Sequence, residues 1–68
     1  MPPMRSYIEA AREQDDWLED VLAGLLINGV PETDIEIRRF INDPMRVVVA
    51  VRGEPKYEHR IVWRIAPQ

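Results

Sequence analysis

The sequence predicts an α+β domain in which one N-terminal amphipathic helix packs on a three-stranded antiparallel β-meander (αβββ). Two observations carry this prediction. Apolar residues recur at helical spacing as far as Asn28, and from Asp34 onward the apolar period changes to two while β-branched residues dominate. The chain has 68 residues, so we expect one small domain over residues 1–68. It has no cysteine, so close packing or association must take the place of disulfides.

The helix is predicted from Tyr7 to about Asn28. Ser6 followed by Glu9 has the form of a capping box, in which each side chain accepts a hydrogen bond from a free backbone N–H at the helix start. Gly29 supplies a left-handed residue after the helix, and Pro31 prevents its continuation. The predicted buried face, with Ile8 and Leu26 at its margin, consists of Tyr7, Ala11, Trp17, Leu18, Val21, Leu22 and Leu25.

Three strands are predicted near residues 34–41, 45–52 and 57–66. Turn residues lie between them at Asn42-Asp43-Pro44 and from Gly53 to Lys56. The cross-strand pairs that keep apolar residues on one face are Ile41 with Met45, Val51 with His59, Val49 with Ile61 and Val47 with Trp63. The same register places Arg52 opposite Glu58, which are unlike charges.

Arg39 is the weak point of this register, because it points toward the helix beside Val47. We expect either a β-bulge at Arg38-Arg39 or a guanidinium that reaches the sheet edge. An alternative fold makes residues 31–42 a helix that begins at Pro31. The chain would then be a winged helix-turn-helix, with a following β-hairpin as its wing.

Charge is distributed very unevenly along the chain. Residues 1–36 contain nine acidic and two basic side chains, a net charge of −7, whereas residues 37–68 contain three acidic and seven basic side chains, a net charge of +4. Such an asymmetry affects the choice of partner and the association rate rather than the fold.

Catalytic chemistry is poorly supported by the sequence. Ser6 is the only serine, Thr33 the only threonine and His59 the only histidine, and Ser6 already has a capping role. We therefore expect no enzyme, no catalytic residues, no cofactor and no metal site. Trp17 and Trp63 are expected to meet in the core between helix and sheet rather than to form a ligand pocket.

Four carboxylates of the predicted helix form the first candidate binding surface. They lie within about 60° of one another around the helix axis and follow a line about 16 Å long. Such a line resembles the phosphate backbone of a nucleic acid and would fit a basic groove on another protein. This acidic stripe consists of Glu9, Glu13, Asp16 and Asp20.

The sheet face turned away from the helix is the second candidate surface. It is expected to expose arginines, including Arg52, among the apolar residues Val48, Ala50 and Val62, and Glu36 and Glu58 dilute its charge. Arginine among apolar residues suits a protein interface, and an aromatic ring could stack on nucleic-acid bases. The candidate contact residues on this face are Arg38, Phe40, Arg46, Arg60 and Arg64.

These surfaces predict a protein-binding module whose partner is a larger protein with a basic groove or an acidic patch. We also expect a homodimer through open strand edges; direct binding of nucleic acid is less favoured, since the chain is acidic overall. No apolar segment is long enough to span a membrane, and no signal-peptide core is evident, so a cytoplasmic location is expected. The alternatives are a winged-helix transcriptional regulator and a structural subunit of a homo-oligomer.

In size and charge the chain resembles the inhibitors and modulators encoded by bacteriophages and other mobile elements, including anti-CRISPR-type proteins. The resemblance is limited to size, acidity and opposed charged faces, and no motif of a named family is matched. It implies inhibition of a larger protein, one that itself binds nucleic acid, and it assigns no functional residue.

Overall fold

The computed structural model describes residues 6–62 and confirms the predicted αβββ arrangement. The three strands form one antiparallel sheet in the order β1-β2-β3. Residues 35–40 are a strand, so the winged helix-turn-helix alternative is wrong; only a short 3-10 turn precedes that strand. The elements are α1 (Tyr7–Ile27), the 3-10 turn (Glu32–Asp34), β1 (Ile35–Phe40), β2 (Asp43–Val51) and β3 (Glu54–Arg60).

Both ends of α1 lie where the capping residues predict. Ser6 Oγ accepts a hydrogen bond from Glu9 N–H at 3.1 Å. At the other end Gly29 has a φ of 86°, and its N–H donates to Leu26 C=O while Val30 N–H donates to Leu25 C=O, both at 3.0 Å. This pair of bonds is a Schellman motif, which satisfies carbonyls that a helix otherwise leaves unpaired.

The first hairpin has the predicted register over most of its length, with Ile37 opposite Val49 and Arg39 opposite Val47. The predicted pairing of Ile41 with Met45 is wrong, because Ile41 lies in the turn and is 99% exposed. The register shifts between Arg39 and Phe40, one residue beyond the predicted bulge. Neither Ile41 nor Asn42 has a positive φ, so their turn lacks the backbone twist of a two-residue hairpin turn. The register shift next to the turn accommodates this difference.

The second hairpin turns at Arg52-Gly53, not across Gly53 to Lys56. Both turn residues are left-handed, with φ of 56° and 83°, as a two-residue turn of the I′ kind requires. Val51 therefore pairs with Glu54. One extra residue, Lys56, then bulges out of β3 before Val49 pairs with Tyr57.

This tighter turn moves the register of β3 by four residues from the predicted one. Val47 pairs with His59, so the predicted partners of Val47, Val49 and Val51 are wrong. The faces are still assigned correctly, because a shift by an even number of residues keeps each side chain on its side of the sheet. The predicted third strand, 57–66, runs from Glu54 to Arg60 instead. Ile61 and Val62 follow the strand, and residues 63–66 lie outside the described part of the chain.

The core lies around β2, the central strand. Val47, Val48, Val49 and Ala50 are all buried, so both faces of β2 are covered. The inner face, defined as the one that contacts α1, carries Val47 and Val49. The expectation that Val48 and Ala50 are exposed on the outer face is wrong, since both are buried. Val48 lies between Arg38 and Glu58 of the neighbouring strands, and both of these side chains are held in ion pairs.

Most of the predicted buried face of α1 does contact the core. Leu25 is buried, Tyr7 is exposed, and the remaining members are half-buried, namely Ala11, Trp17, Leu18, Val21 and Leu22. Ala10 and Gln14, which the apolar pattern leaves out, are also buried, so a polar residue lies within the core. Trp63 lies outside the described residues, so the expected meeting of the two tryptophans is not part of the described structure.

Candidate functional site

The acidic stripe lies on one continuous helix, as predicted. Glu9, Glu13, Asp16 and Asp20 all fall within α1 and all are exposed. The Ser6 cap uses the backbone N–H of Glu9 and not its carboxylate. The four carboxylates therefore face solvent from successive turns of one rigid element.

Few cations offset this charge. From Tyr7 to Ile27 the helix has six acidic residues and one basic residue, Arg12, and its last turn has no basic residue. Within residues 6–62, the described ion pairs all lie in the strands and turns that follow α1, and none includes Glu9, Asp16 or Asp20. The excess of carboxylates over cations within α1 gives the helix a negative charge along its length.

The arginines of the outer face, in contrast, are neutralised within the fold. Arg46 Nε donates to Glu58, and Arg60 lies 2.6 Å from a carboxylate oxygen of Asp43. Arg38 Nε lies 3.3 Å from Glu36 Oε1. Arg64 lies outside the described residues.

Arg52 does not pair with Glu58 as the sequence predicts. Its Nε lies 3.1 Å from Asp34 Oδ2, and its N–H donates to Asp34 C=O at 2.9 Å. These two contacts fasten the β2–β3 turn to the start of β1. The Arg52 side chain is held there, at the end of the sheet.

Phe40 is half-buried beneath an arginine. The guanidinium carbon of Arg46 lies 4.4 Å from the centre of the Phe40 ring, a cation–π contact. The ring therefore has one face already covered, and the paired side chains of Arg46, Glu58, Arg38 and Glu36 flank the buried Val48. This layer explains why the outer face is less apolar at its surface than the sequence predicts.

Sequence reasoning did not single out the apolar groove on the inner side of the sheet. The groove has a volume of about 230 Å³ and lies between the C-terminal half of α1 and β1. Its lining residues are Leu22, Leu26, Glu32, Ile35 and Ile37. Ile37 lies on the face of β1 that contacts α1, yet it is 42% exposed, which shows that the helix covers this part of the sheet incompletely.

Arg39 extends from β1 on the same inner side as the groove. It is exposed, and no ion pair or hydrogen bond of its side chain is found among residues 6–62, in contrast to Arg38, Arg46, Arg52 and Arg60. The sequence marks Arg39 as out of place in the register, but it does not show that the guanidinium has no carboxylate partner in the described part of the chain.

His59 belongs to a structural cluster between α1 and the sheet. Its ring packs against Trp17, with centroids 5.1 Å apart and planes tilted by 43°. Gln14 Nε2 lies 3.3 Å from His59 Nδ1 and donates to Met45 C=O at 2.9 Å. Gln14 is absent from the predicted core because an amide interrupts the apolar pattern of the helix.

Within the described residues, no helix is long and apolar enough to cross a membrane. In the same part of the chain, no group of three or more histidine, aspartate or glutamate side chains is arranged to hold a metal ion. Comparison of the whole chain with protein-family models, with curated proteins and with solved structures found no match.

Proposed function

We propose that this chain is a non-enzymatic protein-binding module whose acidic stripe occupies a basic groove on a larger protein. In this proposal it acts in the cytoplasm as an inhibitor or modulator of a nucleic-acid-binding protein, of the kind that phages and mobile elements encode. One observation carries the choice of surface. Glu9, Asp16 and Asp20 of the stripe have no ion-pair partner among residues 6–62, whereas the outer-face arginines Arg38, Arg46 and Arg60 each have a carboxylate partner.

A charge that is already paired contributes little to a new partner. An anion that binds Arg46 or Arg60 would have to compete with the carboxylate that each arginine already contacts within the sheet. Glu9, Asp16 and Asp20 have no such competing cation among residues 6–62. The difference supports the helix as the working surface.

The stripe also has the geometry that a nucleic-acid groove favours. A line of carboxylates along one rigid helix presents regularly spaced negative charge without bases. A protein that holds nucleic acid in a basic groove would attract this line at long range, and the bound helix would exclude the nucleic acid. Inhibition by occupancy of the groove follows from this geometry and needs no catalysis.

Affinity capture from the native host tests this proposal. We expect the wild-type chain to retain a basic, nucleic-acid-binding protein at low salt and to release it at high salt. A variant with Glu9→Gln, Glu13→Gln, Asp16→Asn and Asp20→Asn should fold and retain none of it. Retention by this variant, with loss on Phe40→Ala/Arg46→Ala, would show that the outer face is the working surface and contradict the proposal.

Adjacent acidic residues of the same helix provide a matched control. Asp16→Asn/Asp20→Asn changes the stripe, while Asp15→Asn/Glu19→Gln removes the same charge about 100° away around the axis. The first double variant should lose most of the captured protein, and the second should keep it. Equal losses would show that only net charge matters, which contradicts a specific groove.

A further inference from the structure

We propose that the open edge of β1 is the interface of a symmetric homodimer, in which β1 pairs antiparallel with β1 of a second copy around Ile37. This inference is independent of the acidic stripe. It rests on the backbone of β1, on the charges of Glu36 and Arg38, and on the apolar groove beside Ile37.

The two edges of the sheet differ in their capacity to pair. The edge strand β3 contains Pro55, which has no N–H to donate, and a bulge at Lys56. Both features discourage the addition of another strand. β1 contains no proline, and from Ile35 to Arg39 its ladder with β2 is regular. The pairing edge is therefore β1.

The backbone of β1 shows which of its groups face outward. Arg52 N–H donates to Asp34 C=O, and these two residues continue the register of the β1–β2 ladder. Backbone bonds to one neighbour recur at every second residue of an antiparallel strand. Glu36 and Arg38 therefore bond toward β2, which leaves the N–H and C=O groups of Ile37 and Arg39 directed at the open edge.

Ile35 offers only its carbonyl to that edge, because its N–H donates to Glu32 C=O. If Ile37 is placed opposite Ile37 of the second copy, the two residues exchange N–H and C=O bonds. Each Arg39 N–H then meets the Ile35 C=O of the other copy. All of the outward-facing groups named above, apart from the Arg39 carbonyls, gain a partner in this one register.

The charges of β1 favour the same register. With Ile37 at the two-fold axis, Glu36 lies opposite Arg38 of the second copy, and symmetry makes the pair twice on the outer face. The Glu36–Arg38 ion pair within each chain need not break, because the four charges alternate in sign around the axis. Centring the strands on Glu36 or on Arg38 instead would place like charges opposite each other, which is destabilising. Of these three symmetric registers, only the one centred on Ile37 is electrostatically complementary.

The inner side of β1 carries apolar surface that a second copy would cover. Ile37 is 42% exposed and Leu26 is 49% exposed, and both line the groove beside the edge. In the proposed register Arg39 lies opposite Ile35 of the second copy, at the part of the groove that Glu32 also lines. Arg39 would thus gain a nearby carboxylate, which no residue between 6 and 62 of its own chain provides.

Mixing two charge-reversal variants tests this interface. Glu36→Arg alone and Arg38→Glu alone each place like charges opposite each other twice, so each should raise the dimer dissociation constant about tenfold or more. Mixed in equal amounts, they should form a heterodimer, because every pair across the axis is then an arginine facing a glutamate. Mass is measured by sedimentation equilibrium, and circular dichroism confirms that each variant is folded.

A second pair of variants separates the edge from apolar surface in general. Ile37→Lys should abolish the dimer, whereas Ile27→Lys should not, although Ile27 is 85% exposed. A wild-type chain that stays monomeric from micromolar to millimolar concentration would overturn the proposal. So would a wild-type dimer with folded charge-reversal variants that fail to associate when mixed.

Discussion

Gln14 joins the helix to the sheet through its side-chain amide. It is buried, it donates to Met45 C=O at 2.9 Å, and its Nε2 lies 3.3 Å from His59 Nδ1. Met45 C=O also accepts Ile61 N–H at 2.8 Å, so this carbonyl keeps a partner if the amide is removed. The residue therefore contributes both packing and hydrogen bonding to the α1–sheet contact.

Two substitutions at Gln14 separate these contributions. Gln14→Ala should lower the free energy of unfolding by about 2 kcal/mol, because it removes a hydrogen bond and leaves a cavity. Gln14→Met keeps most of the volume, so its cost should stay below about 1 kcal/mol. Urea denaturation gives both values. Equal destabilisation by the two variants would show that the hydrogen bonds, and not the packing, hold α1 in place.

Arg52 adopts a left-handed conformation, with φ of 56°, that asparagine and glycine tolerate better. Its ion pair with Asp34 is solvent-exposed on the arginine side and so contributes little. Arg52→Asn should therefore raise stability by about 0.5–1 kcal/mol. The measurement is the denaturation midpoint. A lower midpoint would mean that the contact with Asp34 outweighs the relief of backbone strain.

At the scale of the element, the ends of α1 could be predicted but the second hairpin could not. Ser6, Gly29 and Pro31 carry specific capping chemistry, and the period change at Asp34 separates helix from sheet. The β2–β3 turn depends on an arginine with positive φ, which residue preferences do not indicate. Pro55 lies inside β3 but is typical of turns, so the sequence predicts a longer turn, from Gly53 to Lys56, and therefore a different register for β3.

The candidate surfaces likewise divide into one that local sequence predicts and others that depend on how the elements pack. The acidic stripe depends only on helical spacing, so its members could be placed from the sequence. The outer-face arginines depend on the register of β2 and β3, and their neutralisation by Glu58 and Asp43 could not be predicted. Predicting the groove beside Ile37 requires knowing where α1 lies on the sheet, and the amphipathic pattern of one helix does not determine this position.

Two glycines of α1 and its cap provide an element-scale prediction. A Cβ at Gly24 or at Gly29 would meet no atom within 4 Å, so neither site is sterically closed. Gly24 lies inside the helix, and Gly24→Ala should raise the free energy of unfolding by about 0.5–1 kcal/mol. Gly29 has a φ of 86°, which an L-residue with a side chain rarely adopts, so Gly29→Ala should lower the free energy of unfolding by about 1–2 kcal/mol.

Thermal unfolding of the two glycine variants under identical conditions measures this contrast. Opposite shifts in the midpoint are expected, upward for Gly24→Ala and downward for Gly29→Ala. A downward shift for both would mean that α1 is less regular at Gly24 than the structure shows.

At the scale of the whole molecule, the fold separates its surfaces by charge and by polarity. Exposed carboxylates lie along α1, the described arginines of the outer face are paired, and apolar residues remain exposed beside the β1 edge. The stripe and the residues Leu22 and Leu26 lie on different sides of the helix axis. A β1-paired dimer would therefore leave both stripes exposed and could engage two partner molecules.

The association rate of the captured partner, measured as a function of ionic strength, tests whether the acidic stripe attracts a basic groove. For the wild-type chain the rate should fall steeply as salt rises, because screening shortens the range of charge attraction to about 8 Å near physiological ionic strength. Asp16→Asn/Asp20→Asn should lower the rate at low salt and flatten this dependence, with a smaller change in dissociation rate. Asp15→Asn/Glu19→Gln should retain most of the wild-type slope. A wild-type rate that does not depend on salt, or identical slopes for the two double variants, would contradict the account.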